Sequence, residues 1–216
     1  MVPPVKSNTR PYNAPRRAQA AAQTREAVLR AAKARFEDAG WVGTTIAAVA
    51  SDANVSPKTI EASFGTKSAL LAAVVDYAIR GDVDPRPMLS RAAVDAERDA
   101  PDAATMLDLH AHRSAAIAAR AARIASVVET AAGGDARVAE LWARMTGNLL
   151  FGVGKAAEIL LTKPGVRPGL TRNEAEESFL VAMNWDTYRA LTGMRGMTPE
   201  GFEDWMRRYY RRMLLE

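Results

Sequence analysis

The sequence predicts an all-α fold in two parts, a compact N-terminal unit of three helices with a helical connector and a larger helical domain behind it. Three observations carry this expectation. Apolar residues recur at helical spacing, beginning with Val28, Ala32, Phe36 and Ala39. As far as Arg80 the gaps between such patterns are short enough only for tight turns. No segment joins β-branched alternation to an Asn-Gly or Asp-Gly turn, so no sheet is expected. The boundaries read as a flexible basic arm over residues 1–22, the three-helix unit over 23–80, and the larger domain over 81–216.

Composition narrows the function classes. The 216 residues are 48% hydrophobic, 25% charged and 6% aromatic, which suits helical interiors rich in Ala and Leu. The absence of cysteine excludes disulfides, a thiolate nucleophile and Cys-based zinc or iron–sulfur sites, and fits a reducing cytoplasm. Residues 1–15 carry four prolines and no apolar run, unlike a signal-peptide core. Arg113, Arg120 and Arg123 interrupt the best candidate for the roughly 18 to 20 apolar residues that a membrane span needs. The expectation is a soluble cytoplasmic protein with no membrane partner. Its net charge is +4, and Lys6, Arg10, Arg16, Arg17 and Arg25 all precede the first acid, Glu26. Such an arm is drawn to phosphate, or is a solvated leader without a partner.

Each element of the first unit has a local cause. Thr24 offers a cap for the first helix and Gly40 an end to it. Thr44 offers the hydroxyl cap of the second, where Ile46, Val49 and Ala50 form one face and the small Ala50 and Ala53 allow close crossing. Asn54 stands where the chain must turn sharply, and Asn tolerates the left-handed conformation. Ser56 followed by Pro57 is a helix start, because Pro in the first turn gives up only an amide that has no partner. Val55, Ile60 and Phe64 then point inward, leaving Pro57, Lys58, Thr59, Glu61, Ala62 and Ser63 outward.

Two helices crossing at a tight turn, the second with a polar outer face, suit the major groove of double-stranded DNA. Lys58 can donate to guanine O6 and N7, and Thr59 can contact base or phosphate. Thr66 and Lys67 open the next helix, whose free amides and positive dipole end would hold a phosphate beside the ammonium, and Thr44 and Thr45 would do likewise earlier. The candidate DNA contacts are therefore Thr44, Thr45, Pro57, Lys58, Thr59, Glu61, Ser63, Thr66 and Lys67, with phosphate contacts setting register and base contacts setting specificity.

Five spaced elements, Thr24-Arg-Glu-Ala-Val-Leu, Phe36-Glu-Asp-Ala-Gly40, Thr44-Thr, Ala53-Asn-Val-Ser-Pro-Lys-Thr and Phe64-Gly-Thr-Lys67, resemble in order the N-terminal domain of the TetR family of repressors, over residues 24–77. Arg195-Gly-Met-Thr-Pro-Glu-Gly-Phe-Glu-Asp-Trp205 is similar to the C-terminal segment of actinobacterial members. The resemblance implies a ligand-responsive repressor that binds a pseudo-palindromic operator as a homodimer. It also implies a small molecule of unknown identity in the C-terminal domain that changes the spacing of two DNA-binding heads. The chain departs from the family at Asn54, often Gly, at Glu61, commonly Tyr, and at Ser63, commonly His or Tyr. Phosphate would repel Glu61 unless it accepts from cytosine N4 or folds away. The alternative is a helical small-molecule-binding or scaffold dimer without specific DNA recognition, for which Glu61 is the best argument.

In the larger domain, helices over 101–131 and 135–161 carry Leu107, His110, Trp142, Met145 and Leu149, which either line a ligand pocket or pack a core. Gly147, Gly152 and Gly154 fall inside a helical stretch, where each costs about 1 kcal/mol against Ala, offset by close helix packing or by room for a ligand. His110 and His112 point about 200° apart on a helix and do not converge on a metal, whereas Asp108 and His112 are spaced to pair. With no nucleophile–base pair, metal cluster or Gly-rich phosphate loop, neither enzyme activity nor a cofactor is expected. Phe202, Trp205, Met206, Tyr209 and Met213 form an apolar stripe near the end of the chain. Together with Phe179, Met183, Trp185 and Tyr188 on a preceding helix, it forms a two-fold four-helix interface, as the resemblance implies, or covers the protomer's own core.

Overall fold

The computed structural model describes residues 14–84, 86 and 88–215; Lys6 and Arg10 of the expected arm lie outside them. The first helix, α1 (Ala14–Gly43), begins ten residues before Thr24, so residues 14–22 are helical where an arm was expected. Ala18 to Gln23 are all strong helix formers, and Pro15 falls in the first turn where its missing amide costs nothing. Gly40 breaks α1 at φ 68° and ψ −174°, which sends Trp41 and Val42 off its axis.

Then come α2 (Ile46–Asp52), α3 (Pro57–Phe64) and α4 (Lys67–Arg80), packed on α1 around Phe36, Val49, Ile60, Leu70, Leu71 and Val74, all fully buried. Helix α4 carries this head onto the body. It ends at Gly81, left-handed at φ 82°, where Arg120 of the body donates through Nε and Nη2 to the carbonyls of Ala78 and Ile79, both at 3.1 Å. A Cβ at Gly81 would meet that guanidinium at 3.1 Å. Arg91 adds bonds to the Asp82 carboxylate and the Asp84 carbonyl.

The body is built on α6 (Ala103–Ala132), surrounded by α5 (Ala92–Asp99), α7 (Ala136–Leu160), α8 (Arg172–Met183), α9 (Trp185–Arg189) and α10 (Pro199–Leu214). One continuous helix was expected from Phe179 to Tyr188. The structure divides it at Asn184, whose extended backbone and side-chain cap on the Asp186 amide, at 2.8 Å, start α9 afresh. A π-helical turn, Ala190–Met194, follows. Among the described residues the only β-type pairing is an isolated bridge between Val166 and Leu215.

The structure bears on three expectations about the body. The stripe on α10 divides: Phe202, Met206, Tyr210 and Leu214 are buried in the protomer's own core with Phe179, while Trp205 and Tyr209 are half-buried and Met213 is 44% exposed. Asp108 and His112 do not pair, because α10 crosses α6 and supplies Arg211 to Asp108 at 2.7 Å and Glu203 to His112 at 3.1 Å. Gly147 and Gly152 are not sites of close packing, since a Cβ on either would meet nothing within 4 Å. Among the described residues no helix is long and apolar enough to cross a membrane.

Candidate nucleic-acid interface

Local hydrogen bonds fix the turn between α2 and α3. Asn54 adopts φ 53°, the only non-glycine residue with positive φ among those described, and the amides of Asn54 and Val55 return to the carbonyls of Ser51 and Ala50 at 3.2 and 3.0 Å. The left-handed residue thus satisfies the open end of α2 while reversing the chain. Ser56 then caps α3, its Oγ accepting from the Thr59 amide at 3.1 Å, and Pro57 takes the first helical position. Ile60 is buried, and Val55 and Phe64 flank it half-buried.

The outer face of α3 is as expected. Pro57, Lys58, Glu61, Ala62 and Ser63 are exposed, and Thr59 is half-buried. Two hydroxyls are engaged: Thr59 Oγ1 with Ser56 Oγ at 2.8 Å, and Ser63 Oγ donating to the Thr59 carbonyl at 2.8 Å. Lys58 and Glu61 have no side-chain partner among the described residues, so both extend from the ridge with their charges unneutralised. Eight residues of helix span about 12 Å, close to the width of the major groove.

At the start of α2 the pair Thr44 and Thr45 is reordered. Thr44 is 1% exposed, and its hydroxyl donates to the Gly40 carbonyl at 2.8 Å. Thr45 is the cap, accepting from the Ala48 amide at 3.1 Å. The reason is the Gly40 break, which leaves a carbonyl facing inward that Thr44 satisfies. Thr66 caps α4 as expected, accepting from the Ala69 amide at 3.1 Å. Lys67 follows, its ammonium over the Trp41 ring. Burial lowers its pKa, and the nearby Asp135 carboxylate opposes that shift.

Two cations beside this face escaped the motif reading. Arg25 on α1 lies over the Phe64 ring at 4.4 Å, at the far end of α3 from Ser56. Arg35 forks onto Asp52, with Nε to Oδ2 at 2.5 Å and Nη2 to Oδ1 at 2.9 Å, which neutralises the acid at the end of α2 and holds its pKa below the usual carboxylate range. The cation-rich run before Glu26 hinted at Arg25, but its contact with Phe64 depends on how α1 crosses α3.

The five candidate ligand residues are not gathered into one pocket. Met145 and Trp142 pack with the core shared between head and body, whereas Leu107 and Leu149 belong to the second core. His110 is fully buried in a polar network: its Nδ1 lies 3.2 Å from Glu97, and Arg113 donates to Glu97 from Nε at 2.5 Å and from Nη2 at 3.1 Å. Burial pushes the Glu97 carboxyl up, but the bonds from His110 and Arg113 outweigh it and hold the group at about 2. Burial lowers the His110 pKa as well.

With this geometry in place, residues 28–74 match the family of bacterial regulatory proteins known as the tetR family. The N-terminal domain is that of the TetR family. The matched stretch holds α2, the turn at Asn54 and α3, a helix-turn-helix unit. No curated protein matches the chain in sequence. Solved structures share the whole fold at low identity. One described as a TetR-family transcriptional regulator from Rhodococcus sp. has a TM-score of 0.64 at 15% identity over 88% of this chain and 98% of its own. A TetR transcription regulator from Haloarcula marismortui gives 0.62 at 14%, over 89% and 98%. A transcriptional regulator from Saccharomonospora viridis in complex with choline gives 0.64 at 15%, over 90% and 98%. At such identity the likeness is of fold alone, a TetR-type head joined to a larger helical body.

Proposed function

We propose that this chain is a ligand-responsive repressor that binds a pseudo-palindromic operator as a homodimer. The observation that carries the reading is the α3 ridge. An exposed Lys58 stands there beside Thr59, Glu61 and Ala62 on a helix locked at one end by Asn54 and Ser56. Lys58 reads guanine edges, Ala62 meets thymine methyls, and Glu61 accepts from cytosine N4. The capped starts of α2 and α4, at Thr45 and Thr66, bind flanking phosphates.

Pairing of two copies through α8 and α10 is supported by the apolar residues left uncovered there, Val181 at 48% and Met213 at 44% exposure, beside the half-buried Trp205 and Tyr209. A ligand response is supported by the choline held by the Saccharomonospora regulator of the same fold. A coupling of about 1 to 3 kcal/mol between ligand and operator alters affinity roughly 5- to 150-fold.

The test is selection of bound duplexes from a random pool at near-physiological salt, with wild type, Lys58→Ala and Lys67→Ala. An enriched palindrome is the expected result, with specificity relaxed by the first change and affinity lowered across all sequences by the second. Absence of enrichment would point instead to a scaffold or ligand-binding dimer that no longer recognises DNA, the reading that the uncompensated Glu61 favours.

A further inference from the structure

A cleft of about 670 Å³ opens at the joint of head and body, between the end of α1 and the end of α6. One wall is the end of α1, where the Gly40 break turns Trp41 and Val42 out of the helix. The other is the last turns of α6, with Arg123, Val127 and Thr130, and Arg189 of α9 lies at the rim. The volume is that of a site for a small organic molecule. None of the five ligand residues expected from sequence lines it.

Its chemistry is specific. Val42 is 89% exposed, an apolar side chain with no cover, and it stands beside the Trp41 indole and Val127. Arg123 is exposed on the opposite wall. Among the described residues its one hydrogen bond is from Nη2 to the Glu37 main-chain carbonyl, at 3.3 Å, and no carboxylate pairs with it. The acids nearby are taken up elsewhere: Glu37 by Lys33 at 2.7 Å, Asp186 by Arg189 at 2.8 Å, and Glu129 by Arg189 at 3.7 Å. The apolar Trp41, Val42 and Val127 thus share the cleft with one guanidinium that no carboxylate compensates, and its planar fork matches a carboxylate.

We propose that this cleft is the effector site and that it takes a small aromatic carboxylate, its ring against Trp41 and Val127 and its carboxylate gripped by Arg123. The proposal deepens the reading of the chain as a ligand-responsive regulator and rests on it for the consequence of binding. That consequence follows from the walls. One belongs to the head and the other to the body, so an occupant fixes the distance between them. Trp41 also carries the Lys67 ammonium at 4.2 Å, which connects the occupant to the first residue of α4.

The experiment uses the full chain without DNA, so it stands or falls independently of the duplex selection above. Benzoate, 1-naphthoate and indole-3-acetate are titrated calorimetrically, with 1-naphthamide as the uncharged control, and the four indole N–H signals are followed by NMR, that of Trp41 being assigned with Trp41→Phe. The expected result is one site per protomer for at least one acid, at least tenfold weaker binding of the amide, and a shift of the Trp41 signal. Arg123→Gln is expected to weaken the acid at least tenfold. Thr130→Trp, which fills the cleft and leaves both arginines in place, is expected to abolish binding. Thermal melting checks that both variants are folded. Absence of binding by all three acids, equal affinity in Arg123→Gln, or a shift confined to Trp142 or Trp185 would overturn the assignment.

Discussion

The ammonium of Lys67 lies 4.2 Å from the centre of the Trp41 ring. A residue that sequence places at a phosphate contact is thereby also part of the seam between head and body, with burial lowering its pKa. Trp41 in turn stacks on Phe36, their ring centres 6.0 Å apart. Trp41→Ala removes a cation–π contact worth about 0.5 to 1 kcal/mol and an aromatic pair of similar size. A destabilisation of about 2 kcal/mol is expected in urea, together with a rise of the Lys67 pKa toward the ordinary lysine value. An NMR titration of the lysine side chains checks the second point, and an unmoved Lys67 would show that the indole is not what buries it.

Asn54 holds φ 53° at the turn between α2 and α3. Left-handed backbone costs a β-branched residue roughly 1 to 2 kcal/mol, and glycine nothing. Asn54→Gly is expected to leave stability within about 0.5 kcal/mol of wild type, while Asn54→Val loses about 1 to 2 kcal/mol. Denaturation midpoints at constant m-value decide this; equal midpoints would mean that backbone strain does not govern the turn.

Acid acts on the network around Glu97. Its folded pKa, about 2, lies below the ordinary value of 4.5, so its contribution is complete above pH 4.5 and is lost as the pH falls toward 2. His110 is also shifted down from 6.5, burial being the main cause. The unfolded chain therefore takes up a proton there first, and stability declines with falling pH from about 6.5. Both groups act in one direction, so the stability curve should slope down from pH 7 to pH 3. Glu97→Gln leaves the largely buried Arg113 without its carboxylate, at a cost of about 3 kcal/mol, and flattens the part below pH 4.5. Thermal melts across that range test it, and an unchanged slope in the variant would remove Glu97 as the cause.

Gly147 and Gly152 lie inside α7 with open space where a Cβ would stand. Alanine at either position should stabilise the fold by about 0.5 to 1 kcal/mol through helix propensity alone. Calorimetric melts of the single and double variants check this. A loss of stability would mean that something packs there in the assembled protein, a second copy being the first suspect.

What could be read from sequence was what neighbouring residues decide among themselves. Asn54, Ser56 with Pro57, and Thr66 each act within a turn or two, and the α3 ridge follows from them. Whether Thr44 or Thr45 caps α2 depended on a carbonyl four residues earlier, exposed by the break at Gly40. Thr24 looks like the cap of α1, yet the helix starts ten residues earlier, because an unbroken run of good helix formers stands before it. On α10, periodicity marked an apolar stripe but not the axis of burial, which centres on Phe202, Met206, Tyr210 and Leu214 because α6 and α8 press from that side. Arg123 and Trp41 are 82 positions apart in sequence, and no local pattern joins them. The candidate ligand residues divide between two cores for the same reason, Leu107 facing one and Met145 the other.

The hold of the body on the head has a further consequence for how such chains can diversify. Arg120 reads α4 through the main-chain oxygens of Ala78 and Ile79, atoms that every amino acid except for its shape supplies alike. Side chains on the outer surface of α4 can therefore drift without loosening the joint, provided that a glycine closes the helix. A foreign head ending in a helix of matching length could be grafted onto this body, and the same guanidinium would receive it.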